Sequence, residues 1–490
     1  MLSNVTFGKH VSPNVFLASL TVVLAILVSV YILDHGISYR EVIVSLGVIG
    51  ALVVFLAGDR GLKMGLIFLL ITFGLGYRTM EVTPDFKIHP SELVIWGLLG
   101  LLIVQQSIRR RSETKIWLPV WVIIFIPFWI WAWLPGLNAG QPWDLMFNEF
   151  RNFAVLIPLF FLTEIAVVES TNWRQILLMF FGVGTWIAGM GVLEYLVPGI
   201  KAVFPAFISQ TEPHVTSEGF ARATFSFYGH PAATFTLVLT APLATVVWRW
   251  WSKSWQRALT IFAVVVQVIA VYIGGFRSMW MTLAIQLVVF VLLCRKPLLA
   301  AFCLLLPLLG SWLLPAQAQE RASSLITLLA GNPQNTDSSG IKRWARISAA
   351  LTDSLDHPFG HGWSEAGWVH NDFIQVAANL GILAGLIFLG AFLITFLRLL
   401  RRVWTLSPSD EQHLGVALLL SFIAAGSILE TQGVEVLTQL VLPVWFVWVL
   451  VEIWLRSQKS GRRVLGISPY FGSTTNLKFG PTRFSTLRHK

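Results

Sequence analysis

GIKRWARISAALTDSLDHPFGHGWSEAGWVHNDFIQVAANLGI, residues 340–382, is the stretch on which the reading of the whole chain turns. It gathers His357, His361 and His370 with the basic residues Lys342, Arg343 and Arg346, and it lies between two long apolar segments. Charged side chains at this density are costly in hydrocarbon, whereas the runs on either side are long enough to cross it as helices. The expectation is a polar loop held at one face of a membrane by apolar helices.

The flanking pattern extends along the chain. At 55% hydrophobic and 12% charged residues, with a mean hydropathy of +0.70, the composition departs from soluble domains, in which about a quarter of residues are charged. Segments of this length and polarity satisfy their own backbone in lipid as helices, and the alternation of a β-barrel is missing. The reading is therefore an all-α polytopic membrane protein with about fourteen transmembrane helices. They are placed near 14–33, 42–57, 63–78, 91–107, 117–134, 152–168, 175–195, 232–249, 257–274, 278–294, 298–315, 372–397, 413–430 and 435–455. One long external loop covers 316–371. The opening MLSNVTFGKHVSPNVFLASLTVVLAILVSVYIL has too long an apolar run for a signal peptide and reads as a retained first span.

With both termini cytoplasmic, roughly two-thirds of the 35 Lys and Arg fall on the inner side, the asymmetry expected of an inner-membrane protein. The formal charge of +10 is then a consequence of topology, and nucleic acid is excluded as a partner. Residues 456–490 form a basic cytoplasmic tail, read as disordered beside anionic lipid. Cys294 and Cys303 lie in or beside apolar runs, against a disulfide framework or a thiolate metal site. The halves show no repeat, which removes one argument for a transporter.

Several external residues invite chemistry. Arg277, in the turn GGFRS, is either an arginine snorkelling to head-group depth or an anion site, since a five-donor guanidinium suits a pyrophosphate. Arg222 makes the same offer just before the span expected over 232–249, with His230 and Pro231 at its mouth, and Arg343 and Arg346 add charge in the long loop. His370 precedes Asn371 and Asp372 at the start of an apolar segment. Either Asn371 or Asp372 caps that helix and His370 is an interfacial ring, or His370 is a base whose orientation Asp372 supports. His357 and His361, in DHPFGHG, lack an HExxH pattern, a cysteine pair and a clear third ligand, so no metal is assigned. Trp344, Trp363 and Trp368 are candidates to stack on sugar rings, and interfacial belts account for most other aromatics.

The order GGFRSMW, KRWARISAAL, DHPFGHGW and HNDFIQVAANLGILAGL resembles the shared core of the O-antigen ligase and O-antigen polymerase family of bacterial membrane glycosyltransferases. RATFSFYGHPAATF is similar to the family's upstream segment, with His230 in place of the usual Asn, and Phe276 and Ser278 depart from the usual Ser-Arg-Gly around Arg277. The resemblance covers about residues 215–395, inside a core read as 201–455; residues 1–200 match only as N-terminal transmembrane helices. It implies a C-type glycosyltransferase-like fold that moves a glycan from undecaprenyl pyrophosphate to an acceptor hydroxyl, with inversion and without cofactor or metal. Arg222, Arg277 and Arg343 would contact the pyrophosphate or glycan, and His370 would assist the acceptor. The acceptor would be a glycan or lipid A-core, and polysaccharide assembly proteins are expected partners.

Two other classes remain open. A transporter of an anion or small solute predicts ionisable residues near mid-span, whereas Glu164 and Glu194 lie toward span ends. A non-catalytic assembly partner predicts that loss of His370 leaves the product unchanged.

Overall fold

The computed structural model describes residues 59–73, 80–83, 86–88, 90–109, 120–167, 170–197, 225, 230–294, 338–363, 369–407, 409–431 and 438–459. Expectations for spans 14–33, 42–57 and 298–315, for Arg222 and Trp368, and for the tail beyond 459 lie outside them. The architecture is an all-α multi-span bundle: α1 (Asp59–Phe73), α2 (Pro90–Arg109), α3 (Val120–Asn138), α4 (Trp143–Ala154), α5 (Leu156–Ala166), α6 (Ser170–Leu196) and α7 (His230–Thr240). A 3₁₀ turn (Ala241–Leu243) leads to α8 (Ala244–Trp250), α9 (Ser254–Gly274), α10 (Arg277–Leu293), α11 (Ser338–Asp356), α12 (Asp372–Leu380), α13 (Ile382–Thr405), α14 (Asp410–Thr431) and α15 (Thr438–Lys459). A small antiparallel hairpin, β1 (Met80–Thr83) and β2 (Phe86–Ile88), interrupts the helices.

Among the described residues, six helical segments are long and apolar enough to cross a membrane: Trp143–Ala166, Trp173–Leu196, Ala232–Trp250, Ser254–Gly274, Ile382–Thr405 and Asp410–Glu430. Three departures from the sequence reading bear on the site. Residues 143–151, expected in a loop, are helical, and Val155 keeps α4 and α5 nearly continuous with φ −62° and ψ −20°. Part of the expected 316–371 loop is α11. The span expected over 372–397 breaks at Gly381 into α12 and α13.

Apolar helices gain little by burying surface from an apolar solvent, so close packing and polar links between helices hold the bundle. Phe388 packs against Phe125, Phe153, Phe373, Trp445 and Trp448, and Phe392 stacks on Phe422 with ring centroids 4.5 Å apart. Gly426 gives Phe392 room, since a Cβ there would sit 2.8 Å from its ring. Pro242 has no N–H for the Val238 carbonyl that a regular helix would bond four residues back. Gln286 Nε2 of α10 donates to that carbonyl at 2.9 Å and to Leu420 O of α14 at 2.9 Å, so one amide closes the gap and joins three helices. Gln267 of α9 donates to Thr185 at 3.0 Å and accepts from Thr240 at 3.2 Å.

The ends of the bundle differ. At one, Arg249 pairs with Asp410 at 2.8 Å, Arg398 with Glu452 at 3.1 Å, and Arg456 with Glu164. There Arg174 also lies over the Trp250 ring, and Gln458 reaches Glu411. The chain directions carry the starts of α7, α10 and α13 to the opposite end, where Phe235 meets Phe276 and Thr234 lies against Gly274.

Candidate functional site

The α9–α10 connection is as tight as its sequence suggests. Gly275 is left-handed at φ 69°, its N–H donates to Tyr272 O at 3.0 Å, and Phe276 is the N-cap residue before Arg277. Half-buried Arg277 therefore stands in the first turn of α10. The backbone of His230 opens α7 at the same end, and Pro231 follows it. Arg277 and His230 thus share an end by topology. α14 packs against both α10 and α12.

Gly381 organises that segment. Its φ of 95° and ψ of 156° are open only to glycine, and a Cβ would meet Pro358 O at 2.6 Å. Instead of extending α13, α12 folds back along it: Ala377 and Phe373 O lie where a Cβ on Gly385 would go, and Phe373 packs against Phe388 and Phe392. This break leaves the last carbonyls of α12 without helical donors. His361 N donates to Ala378 O at 3.3 Å, Gly362 N to Asn379 O at 2.8 Å, and the Trp131 indole N–H to Leu380 O at 2.7 Å. Ile382 N returns a bond to Pro358 O at 3.1 Å, so the DHPFGHG turn closes the break. Gln141 pins the turn's far side, accepting from Trp363 N at 2.8 Å and donating to Trp363 O at 2.9 Å.

His370 lies at the opposite end of α12, in a left-handed conformation with φ 66°. A side chain there costs of the order of 1–3 kcal/mol, strain that concentrates at functional positions. Asn371 is the N-cap, its Oδ1 accepting from Ile374 N at 3.1 Å, and Gln375 Oε1 accepts from Val369 N at 2.7 Å. Those bonds fix the backbone on both sides of the imidazole. Asp372 is the first helical residue and is buried.

α11 supplies the charge around His370. Ile347 and Ala350 pack against Val369, Ile374 and Ala378. At helical spacing Arg343 shares the face of Ala350 and buried Ser354, toward α12, and exposed Arg346 lies at its edge. Burial first, and then the Arg343 and Arg346 charges, together lower the His370 pKa from the usual 6.5 to about 4. The ring is therefore neutral at pH 7 and able to accept a proton.

Three groups escaped the sequence reading or changed role. Asp353 carries both neighbouring imidazoles: His357 Nδ1 is 3.1 Å from its Oδ1, and His361 Nε2 is 2.9 Å from its Oδ2. Trp363 is fully buried and packs against Phe153 at 6.0 Å, which corrects its reading as a sugar platform; Trp344 is 70% exposed. Arg151 is inside α4, paired at 3.3 Å with buried Glu92 of α2. Its partner lies on another helix, which no local spacing in the sequence reveals.

No protein-family model matches the chain, and no curated protein matches it.

Proposed function

We propose that this protein transfers a glycan from undecaprenyl pyrophosphate to an acceptor hydroxyl at the external face of the bacterial inner membrane. It acts as a surface-polysaccharide polymerase or an O-antigen ligase. The observation that carries the reading is His370: a neutral imidazole on a strained backbone, at the start of a short helix, with Arg343 and Arg346 near enough to act on its charge. The imidazole is deprotonated at pH 7, and the cations beside it serve the anionic leaving group while reducing the strength of the base.

In the reaction the acceptor oxygen attacks the anomeric carbon, its proton passes to His370, and the bond from that carbon to the pyrophosphate oxygen breaks. Attack from the face opposite the leaving group inverts the configuration. Arg277, with Arg343, Arg346 and Arg222, holds the pyrophosphate and stabilises the charge it gains. His230 and Asp372 complete the substrate-binding set. No metal or nucleotide sugar takes part in the transfer. The topology that goes with this reading has about fourteen spans in a C-type arrangement, with both termini cytoplasmic. The end rich in Arg174, Arg249, Arg398 and Arg456 faces the cytoplasm, and the His370 end faces outward.

The test is glycan analysis of cells lacking the gene, complemented with wild type, Arg277→Ala or His370→Ala at matched membrane levels. Single repeat units in the deletion, unrelieved by either variant, identify a polymerase. Long chains that accumulate on the carrier lipid identify a ligase. Normal glycan with both variants overturns the site.

The buried Arg151–Glu92 pair favours a second reading, transport of an anion or small solute, because intramembrane ion pairs mark solute and proton paths. Proteoliposome uptake of labelled solutes that is lost on Glu92→Gln, with glycan synthesis intact, would select it.

A further inference from the structure

A second cluster of metal-ligating side chains lies outside the His370 region, at the C-terminal end of α11. Asp353, His357 and His361 recur at intervals of four. On one continuous helix the first and last would stand about 12 Å apart along the axis. Here α11 ends at Asp356, and Pro358, Phe359 and Gly360 turn the chain back, so His361 returns over the carboxylate one turn before His357. His361 Nε2 lies 3.0 Å and 2.9 Å from the two Asp353 oxygens, His357 Nδ1 lies 3.1 Å from Oδ1, and the imidazole centroids are 4.2 Å apart. One ligand atom from each residue lies within 4.8 Å of the other two.

We propose that Asp353, His357 and His361 bind a divalent cation of the zinc class, with water completing the coordination. Two imidazoles and one carboxylate form a donor set suited to zinc, whereas calcium and magnesium favour all-oxygen sites. Tetrahedral zinc needs donor atoms about 3.4 Å apart, so binding requires only small rotations about the side-chain bonds. The three side chains are partly exposed, with 36% of Asp353, 56% of His357 and 33% of His361 accessible, so the site has an open approach.

The backbone gives the site a consequence. Asp353 lies in the last turn of α11 and His357, just past its last residue, is tied to that turn by its amide on Asp353 O, while His361 is fixed by its amide to the Ala378 carbonyl at the end of α12. A cation bound by all three ties α11 to the break at Gly381. Its role is to hold the helix that carries Arg343 and Arg346 in place beside α12, away from the atoms that react. Cation binding here, and the rigidity it gives, require no glycan substrate.

The experiment uses the full-length chain without a polyhistidine tag, in detergent micelles, titrated with zinc by calorimetry and with cobalt by visible absorption. One zinc per chain is expected, with a cobalt spectrum of low coordination number. Asp353→Asn, His357→Gln and His361→Gln should each weaken zinc by at least about tenfold, the least that loss of even an outer-sphere partner costs. Asp356→Asn, on the exposed neighbouring carboxylate, should bind as wild type does, and magnesium should give no heat. Zinc should raise the Tm of wild type and leave that of His361→Gln unchanged. Because His357 is the most exposed of the three, His357→Gln tests the ligands with little risk to folding, which gel filtration verifies. No stoichiometric binding to wild type, or unchanged affinity in all three ligand variants, overturns the proposal.

Discussion

His370 concentrates the residue-scale physics: a left-handed backbone, a helix cap one residue on, and two arginines on the packed neighbouring helix. Burial is the larger cause of its low pKa, and the Arg343 and Arg346 charges come second. The unfolded chain takes up this proton near pH 6.5 and the folded chain only near 4. Acidification through that window therefore favours unfolding, and the contribution to stability is complete above it. If the chain carries out the proposed transfer, its rate in proteoliposomes should hold down to about pH 5, where His370 begins to take up a proton. Arg343→Gln with Arg346→Gln should move the acidic limb upward, but short of the ordinary histidine value, because burial remains. His370→Gln should lower kcat by about 10²–10⁴-fold. An acidic limb that stays in place in the double arginine variant would show that those charges do not act on the reacting base. The residue types at this site were legible from HNDFIQ and KRWAR; the left-handed backbone was not, because it depends on the cap and on the bond from Val369 to Gln375.

Among the elements, the α12–α13 break depends most on a single position. Gly381→Ala places a Cβ against Pro358 O and forces a backbone that alanine avoids, and should cost about 1–3 kcal/mol, read as a lower Tm in detergent. Gly385→Ala, which meets Ala377 and Phe373 O, should separate loosening of α12 from opening of the turn. The apolar character of 373–397 is continuous, so periodicity reads it as one span and conceals the break. α11 was concealed for the opposite reason. Its polar residues read as loop, yet Ile347, Ala350 and Ser354 recur at helical spacing, and Ile341, Trp344, Leu351 and Leu355 form a second, exposed stripe. Among the described residues, the six helices long and apolar enough to cross a membrane were legible because apolar length was their signal.

At the scale of the molecule, buried polar links fix how the helices sit together. Glu92 and Arg151 are both almost wholly enclosed, so Arg151→Ala leaves a carboxylate with no counter-charge and should cost about 3–5 kcal/mol, measured by reversible unfolding in mixed micelles. Arg151→Ala with Glu92→Ala should recover part of that loss. Such cross-helix pairs, like the bridge from Gln286 to Val238 and Leu420, lay beyond the sequence reading because their partners are far apart in the chain. The two ends of the bundle are secured by different forces. Arg249–Asp410, Arg398–Glu452 and Arg456–Glu164 are ionic, whereas the break at Gly381 is closed by amide and indole N–H groups on carbonyls. Added electrolyte therefore acts as a selective solvent, loosening the arginine-rich end while the seam beneath the histidines keeps its shape.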